Sequence, residues 1–178
     1  MSRQYWVSPL APFHIADGTA VTASTISDMS PAPPIILPAN LLEIGSRLEF
    51  SAFGRLTTTA SPGTAFVIGI YIGPGAISAG LALAATAALT PKASQTNMTW
   101  RLEGNAQVRA VGASTTGQIL GALEVSNITT NGTDMAPSTA PTALGFDTTV
   151  ANKVMLGITL GTTSQSITCH HFGVRLVN

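Results

Sequence analysis

The chain has 178 residues, which is typical of one domain that buries roughly 70% of its unfolded surface. It carries 8 basic and 8 acidic residues, so its formal net charge is zero, and 45% of its residues are apolar. This composition excludes a disordered chain, and the scattered basic residues form neither a stripe for nucleic acid nor a patch for a membrane surface. So little surface charge predicts that other subunits cover part of the molecule.

The first 37 residues form a segment that differs in composition from the rest. Six of the eleven prolines lie within the first 38 residues. Because proline fixes φ and lacks an amide donor, we predict an extended Pro-rich N-terminal arm over residues 1–37, outside any sheet interior. Its apolar side chains include four that we expect at an interface: Tyr5, Trp6, Phe13 and Ile15. Two interpretations remain open, since the arm either folds back along its own domain or reaches a neighbouring subunit.

Residues 38–178 show the period-two hydrophobic alternation of β-strands. The pattern predicts strands at Ser46–Thr59, Phe66–Ile72, Leu81–Leu89, Met98–Ala110, Gly117–Thr129, Lys153–Gly161 and Ser166–Val177. The alanines of Leu81–Leu89 are also compatible with a helix, but the alternation favours a strand. Residues 112–117 and 161–164 are typical of hairpin connections. We therefore predict an all-β fold, a jelly-roll-like β-sandwich, for residues 38–178.

Phe66–Ile72 is apolar on both faces, which is typical of a strand that is covered on both sides. Val67 and Tyr71 are therefore candidate interface residues. The 36 residues between Arg55 and Lys92 carry no charge. Prolines and glycines interrupt this stretch, so it does not contain a membrane-spanning helix.

The residues that carry chemistry form no recognisable site. Cys169, His170 and His171 are adjacent, and alternation along a strand predicts that the two histidine rings point to opposite faces, with Cys169 and His171 on the same face. Two such ligands are too few for a closed zinc site. We interpret Glu49 and Glu103 as members of cross-strand ion pairs. We expect no catalytic residue, metal or cofactor, and therefore no enzyme activity.

The single cysteine excludes an intrachain disulfide, and the N-terminus lacks the apolar core of a signal peptide. We therefore expect synthesis and folding in a cytoplasm.

Three stretches carry a resemblance to a known class of protein: Leu37–Leu48, Gly69–Gly73 and Thr99–Gly104. They resemble small β-rich virion proteins of tailed bacteriophages, which are described as head decoration or minor tail proteins. The likeness extends over about residues 37–178 and includes no catalytic motif. It implies a jelly-roll-like domain that forms a homotrimer within the phage particle.

The resemblance and the composition together lead to a functional expectation. We expect a capsid decoration (cement) protein that stabilises the head lattice as a trimer, with itself and the major capsid protein as partners. It would be made in the host cytoplasm and located on the capsid surface of the virion, without a nucleic-acid or membrane partner. The alternative is a tail-tip or fibre protein that binds a host surface glycan.

Overall fold

The computed structural model of the chain describes residues 7–10, 16–63, 65–130, 133–136 and 144–177. Within these ranges it contains twelve strands and one 3-10 helix, Ile77–Ala79. The strands are β1 (Val7–Pro9), β2 (Ser27–Asp28), β3 (Ile35–Leu37), β4 (Arg47–Thr57), β5 (Val67–Gly73), β6 (Leu81–Ala85), β7 (Met98–Ala110), β8 (Gly117–Ser126), β9 (Thr133–Ala136), β10 (Leu144–Phe146), β11 (Asn152–Thr159) and β12 (Ser166–Val177).

The strands form two antiparallel sheets. A seven-stranded sheet has the order β1-β12-β4-β7-β8-β10, and β9 also pairs with β8. A five-stranded sheet has the order β2-β11-β5-β6, and β3 also pairs with β11. Buried apolar residues from both sheets form one core. The predicted all-β sandwich is confirmed, whereas this strand order does not establish the jelly-roll connectivity, which stays a prediction.

Strands β4 and β7 show why the sequence forms this sheet. Burial alternates from residue to residue along both strands, so that one face of each lies on the core and the other faces outward. Trp100 on β7 is fully buried, as its place on the apolar side predicts. The register pairs Ala52 of β4 with Leu102 of β7 in the core and places Phe53 opposite Arg101 on the outer face.

The described part of the N-terminal segment lies along its own domain. Val21 forms a bridge with Ile167 of β12, and β2 and β3 pair with β11. Met29, Ile35 and Leu37 are buried in the core. Residues 16–37 therefore contribute strands and core side chains to the sandwich itself, and the division of the chain into an arm and a domain stays a prediction. Four predicted interface residues lie outside the described residues: Tyr5, Trp6, Phe13 and Ile15.

Strand β5 is covered on both faces, as its sequence indicates. Ile68, Ile70 and Ile72 point into the core. On the outer face, the Tyr71 ring and the Ile77 side chain both pack over Gly157, where an added Cβ would lie 2.4 Å from Cε2 of Tyr71. This burial raises the pKa of Tyr71. The chain itself thus supplies part of the second apolar layer.

The predicted connections have different outcomes. Residues 111–116 join β7 to β8, which are neighbours in one sheet, so the predicted hairpin is confirmed. Residues 160–165 join β11 of the five-stranded sheet to β12 of the seven-stranded sheet. The hairpin predicted there is wrong, because its two flanking strands belong to different layers. Within the described ranges, no helical segment has the length and hydropathy needed to cross a membrane.

Candidate functional site

The outer surface of the seven-stranded sheet carries half of the charge of the molecule. We call this surface the charged face and define it as the outward-pointing residues of β4, β7, β8 and β12. Eight of the 16 charged residues lie on it: Arg47, Glu49, Arg55, Arg101, Glu103, Arg109, Glu124 and Arg175. The sequence places them there because polar residues alternate with core residues along these strands.

A groove of about 610 Å³ crosses the charged face. It is lined by Arg47, Glu49, Phe50, Ser51, Arg101, Glu103, Gly104, Asn105, Ala122, Leu123, Glu124 and Arg175. The groove exists because short side chains lie between long ones, with Ser51 opposite Glu103 and Ala122 opposite Asn105 in the register. The result is an open, polar depression with alternating charge.

The ion pairs of the groove run along the strands. Arg47 pairs with Glu49 on β4, and Arg101 pairs with Glu103 on β7. The predicted cross-strand pairing of Glu49 and Glu103 is therefore wrong, since residues at i and i+2 share a face and an arginine side chain spans that distance. Across the strands, Glu103 instead lies directly opposite Glu124. Among the described residues, neither Glu124 nor Arg175 forms an ion pair.

A β-bulge in β12 places two histidines beside this groove. Cys169 pairs with Gly54 and His171 pairs with Phe53, so His170 is an extra residue. His171 stacks on Phe53, with ring centroids 5.4 Å apart and an interplanar angle of 24°. Phe53, His170 and three neighbours line a second cavity of about 490 Å³ on the outer side of the sheet, the neighbours being Gly54, Arg55 and Thr99.

Because of the bulge, the predicted orientation of Cys169, His170 and His171 is wrong. Both histidines are on the outer side, whereas Cys169 is fully buried in the core. The sequence carries a signal for this, because the apolar positions of β12 change from odd (Ile167, Cys169) to even (Phe172, Val174). A strand with continuous alternation cannot bury both sets.

Cys169 is unsuited to chemistry in this position. Burial raises the pKa of its thiol to about 12, and its Sγ lies 3.1 Å from the carbonyl oxygen of His171. The thiol therefore stays protonated at neutral pH and is shielded from solvent. In the described part of the chain, no three His, Cys, Asp or Glu side chains are grouped so as to hold a metal ion.

Val67 and Tyr71, the two predicted interface residues that are described, lie on the opposite side of the sandwich. Both are half-buried on the outer face of β5, where Val67 pairs with Thr159 and Tyr71 pairs with Met155. They contribute nothing to the groove. The sequence did not identify the groove, because that requires knowing that β4 lies between β12 and β7.

Comparisons with known proteins give little further information. No protein-family model matches the chain, and no curated protein matches it. A crystal structure of a protein of unknown function from Shewanella oneidensis MR-1 aligns with 12% sequence identity and a TM-score of 0.35. The alignment covers 97% of this chain and 86% of that one. We draw no conclusion from a similarity at this level.

Proposed function

We propose that the protein is a structural protein of a bacteriophage particle, a decoration protein that associates as a trimer and binds the capsid lattice. The observation that supports this best is the contrast between the two outer surfaces of the sandwich. We call the outer surface of the five-stranded sheet the neutral face, defined as the outward-pointing residues of β2, β3, β5, β6 and β11. A neutral face of this kind suits burial against another subunit.

Most residues of the neutral face are uncharged. Its only charged pair among the described residues is Lys153 with Asp28, whose Nζ and Oδ2 atoms are 2.7 Å apart. Both side chains are largely shielded, and their charges cancel. Burying a neutralised pair with its neighbours costs less than burying an isolated charge.

Apolar and small residues make up much of the remaining neutral face. Ile36 on β3 is 45% exposed, and Val67 on β5 is half-buried. Covering these residues would remove apolar surface from water, which is the main driving force of subunit association.

The proposal is tested first by the oligomeric state. Native mass spectrometry of the wild-type protein should give a trimer, and Ile36→Asp and Val67→Asp should shift it toward folded monomer. Gln107→Asp, which adds the same charge on the charged face, is the matched control and should leave the trimer intact. A wild-type protein that is monomeric at micromolar concentration would contradict the trimer.

The second test is attachment to the particle. Purified protein should bind phage heads assembled without it, in a copy number in the hundreds, and electron cryomicroscopy should locate it on the head lattice. Monomeric Ile36→Asp should bind with lower occupancy than wild type, because a trimer attaches through several contacts at once. A wild-type protein that is absent from the heads, or found only at the tail, would contradict the decoration role.

A further inference from the structure

Phe53 is an exposed aromatic ring on an otherwise polar sheet surface. Its side chain is 47% exposed, although it lies between Ser51 and Arg55 on the charged face. The His171 ring stacks on it and supports it from the side of β12. The ring also lies directly opposite Arg101, which lines the groove. An apolar platform is therefore held at one end of a polar groove.

The groove itself has a balanced charge. Three arginines and three glutamates line it, together with Ser51 and Asn105. Pockets for drug-like ligands are mostly apolar, with only a few polar groups. A groove with this many donors and acceptors and no net charge matches a ligand that is rich in hydroxyl groups and carries no charge of its own.

From these features we propose that the groove and Phe53 form a binding site for a neutral oligosaccharide. The apolar C–H face of one sugar ring lies on the Phe53 ring. Hydroxyl groups of this and the following sugars donate to the carboxylates of Glu103 and Glu124 and accept from the guanidinium group of Arg101.

The dimensions of the site favour a chain of sugars over a single one. Phe53 and Arg47 mark the two ends of the site on β4, six residues apart. At a rise of about 3.3 Å per residue, this gives a length of about 20 Å. A single sugar would leave most of the groove empty.

Two of the three arginines of the groove are paired along their own strands. Arg47 donates a hydrogen bond to Glu49, and Arg101 donates one to Glu103. Glu124 and Arg175, which form no ion pair among the described residues, have hydrogen-bonding capacity to offer a ligand.

Two other occupants fit these observations less well. A polyanion requires an excess of positive charge, and the three glutamates of the groove cancel its three arginines. A protein partner is disfavoured because the centres of protein interfaces are depleted of charged residues such as glutamate. The inference concerns the face opposite the one proposed for assembly and does not rest on the proposed virion role, so either can fail while the other holds.

Isothermal titration calorimetry with a defined panel tests the site. The probes are the hexasaccharides of the maltose, cellulose, laminarin and mannan series, with heparin hexasaccharide as the charged comparator. We expect at least one neutral hexasaccharide to bind with a Kd between micromolar and millimolar, and more tightly than heparin. Phe53→Ala should weaken that binding at least tenfold, whereas Arg109→Ala, on the same face but outside the groove, should change it less than twofold.

A second variant keeps the test independent of the stability of Phe53→Ala. Ser51→Trp fills the groove from an exposed position on β4 without touching the core, and it should abolish binding while the melting temperature is retained. The proposal is overturned if no neutral hexasaccharide of the panel binds, if heparin binds more tightly than all of them, or if Ser51→Trp binds as wild type does.

Discussion

The imidazole of His170 and the carboxylate of Asp17 are in direct contact, with Nδ1 and Oδ1 2.7 Å apart. This contact links the bulge of β12 to the N-terminal segment. Two backbone hydrogen bonds continue the link, from Gly18 N–H to the carbonyl oxygen of Cys169 and from Val21 N–H to that of Ile167, each 2.8 Å long. The bulge residue thus helps to hold residues 17–21 against the sheet.

Removing this contact should loosen the segment locally. Because Asp17 is largely exposed, we expect Asp17→Ala to cost less than about 1 kcal/mol. The amides of Gly18 and Val21 should exchange with solvent up to about five times faster, as measured by hydrogen exchange followed by NMR. Lys92→Ala, which removes a bond to Asn127 elsewhere, is the control and should leave both amides unchanged. Unchanged exchange in Asp17→Ala would show that the pair does not hold the segment.

Gly54 on β4 pairs with Cys169, directly beside the bulge. An added Cβ would lie 1.9 Å from the carbonyl oxygen of Thr168 and 2.9 Å from Cζ2 of the buried Trp100. Gly54→Ala should therefore lower the free energy of unfolding by about 3 kcal/mol, measured by urea denaturation. Gly75→Ala is the matched control, since nothing lies within 4 Å of its added Cβ, and it should be nearly neutral. Equal stability of the two variants would contradict the packing described around Gly54.

Gln165 is a buried amide with unused hydrogen-bonding capacity. It is 1% exposed, and among the described residues neither Nε2 nor Oε1 has a hydrogen-bond partner. Gln165→Met keeps the length of the side chain and removes this cost, so it should raise the free energy of unfolding by about 1–2 kcal/mol.

Asn152 provides the opposite case for comparison. It is also buried, but its Nδ2 donates to the carbonyl oxygens of Asp147 at 2.7 Å and Val150 at 3.0 Å. Asn152→Leu should therefore lower the free energy of unfolding by about 1–3 kcal/mol. If urea denaturation gave Gln165→Met a lower free energy of unfolding than wild type, the Gln165 side-chain amide would have to form hydrogen bonds in solution.

Asp147 should make stability depend on pH. The hydroxyl of Thr149 and the N–H groups of Ser114 and Thr149 donate to its carboxylate and lower its pKa. Because the folded-state pKa is depressed, this contribution is present above the unfolded pKa and is lost as the pH falls through the folded value. Asp147→Asn should therefore melt below wild type at pH 7, and the difference should shrink toward pH 2. Glu124→Gln, which removes a carboxylate that accepts none of these three hydrogen bonds, is the matched control for the loss of one negative charge.

Sequence patterns predicted the strands well wherever alternation was uninterrupted. Met98–Ala110 was predicted as one strand, and β7 has the same bounds. For Leu81–Leu89, the first five residues form β6, which confirms the strand over the helix. Alternation gave these results because it reports directly which side chains face the core.

The groove, the bulge and the neutral face could not be predicted from alternation, because they depend on the order and register of the strands. The polar faces of β4 and β7 were each recognised, but their adjacency, and hence the groove, depends on a register that no local pattern encodes. The bulge was missed because strict alternation was assumed through Cys169 and His171. Only two residues of the neutral face, Val67 and Tyr71, were predicted from the sequence. The position of Gly157 on this face depends on the pairing of β11 with β5, which no local pattern shows.

The pairing of the first described strands with the last ones affects how the chain folds during synthesis. Asp28 and Lys153, which form the half-buried ion pair, are 125 residues apart in sequence. The sandwich cannot close before residues 152–177 have been made, and contacts this distant in sequence slow folding. Until then, Met29 and the other core residues of the N-terminal segment lack their partners on β11 and β12. The nascent chain is therefore most prone to aggregate before β11 and β12 have left the ribosome.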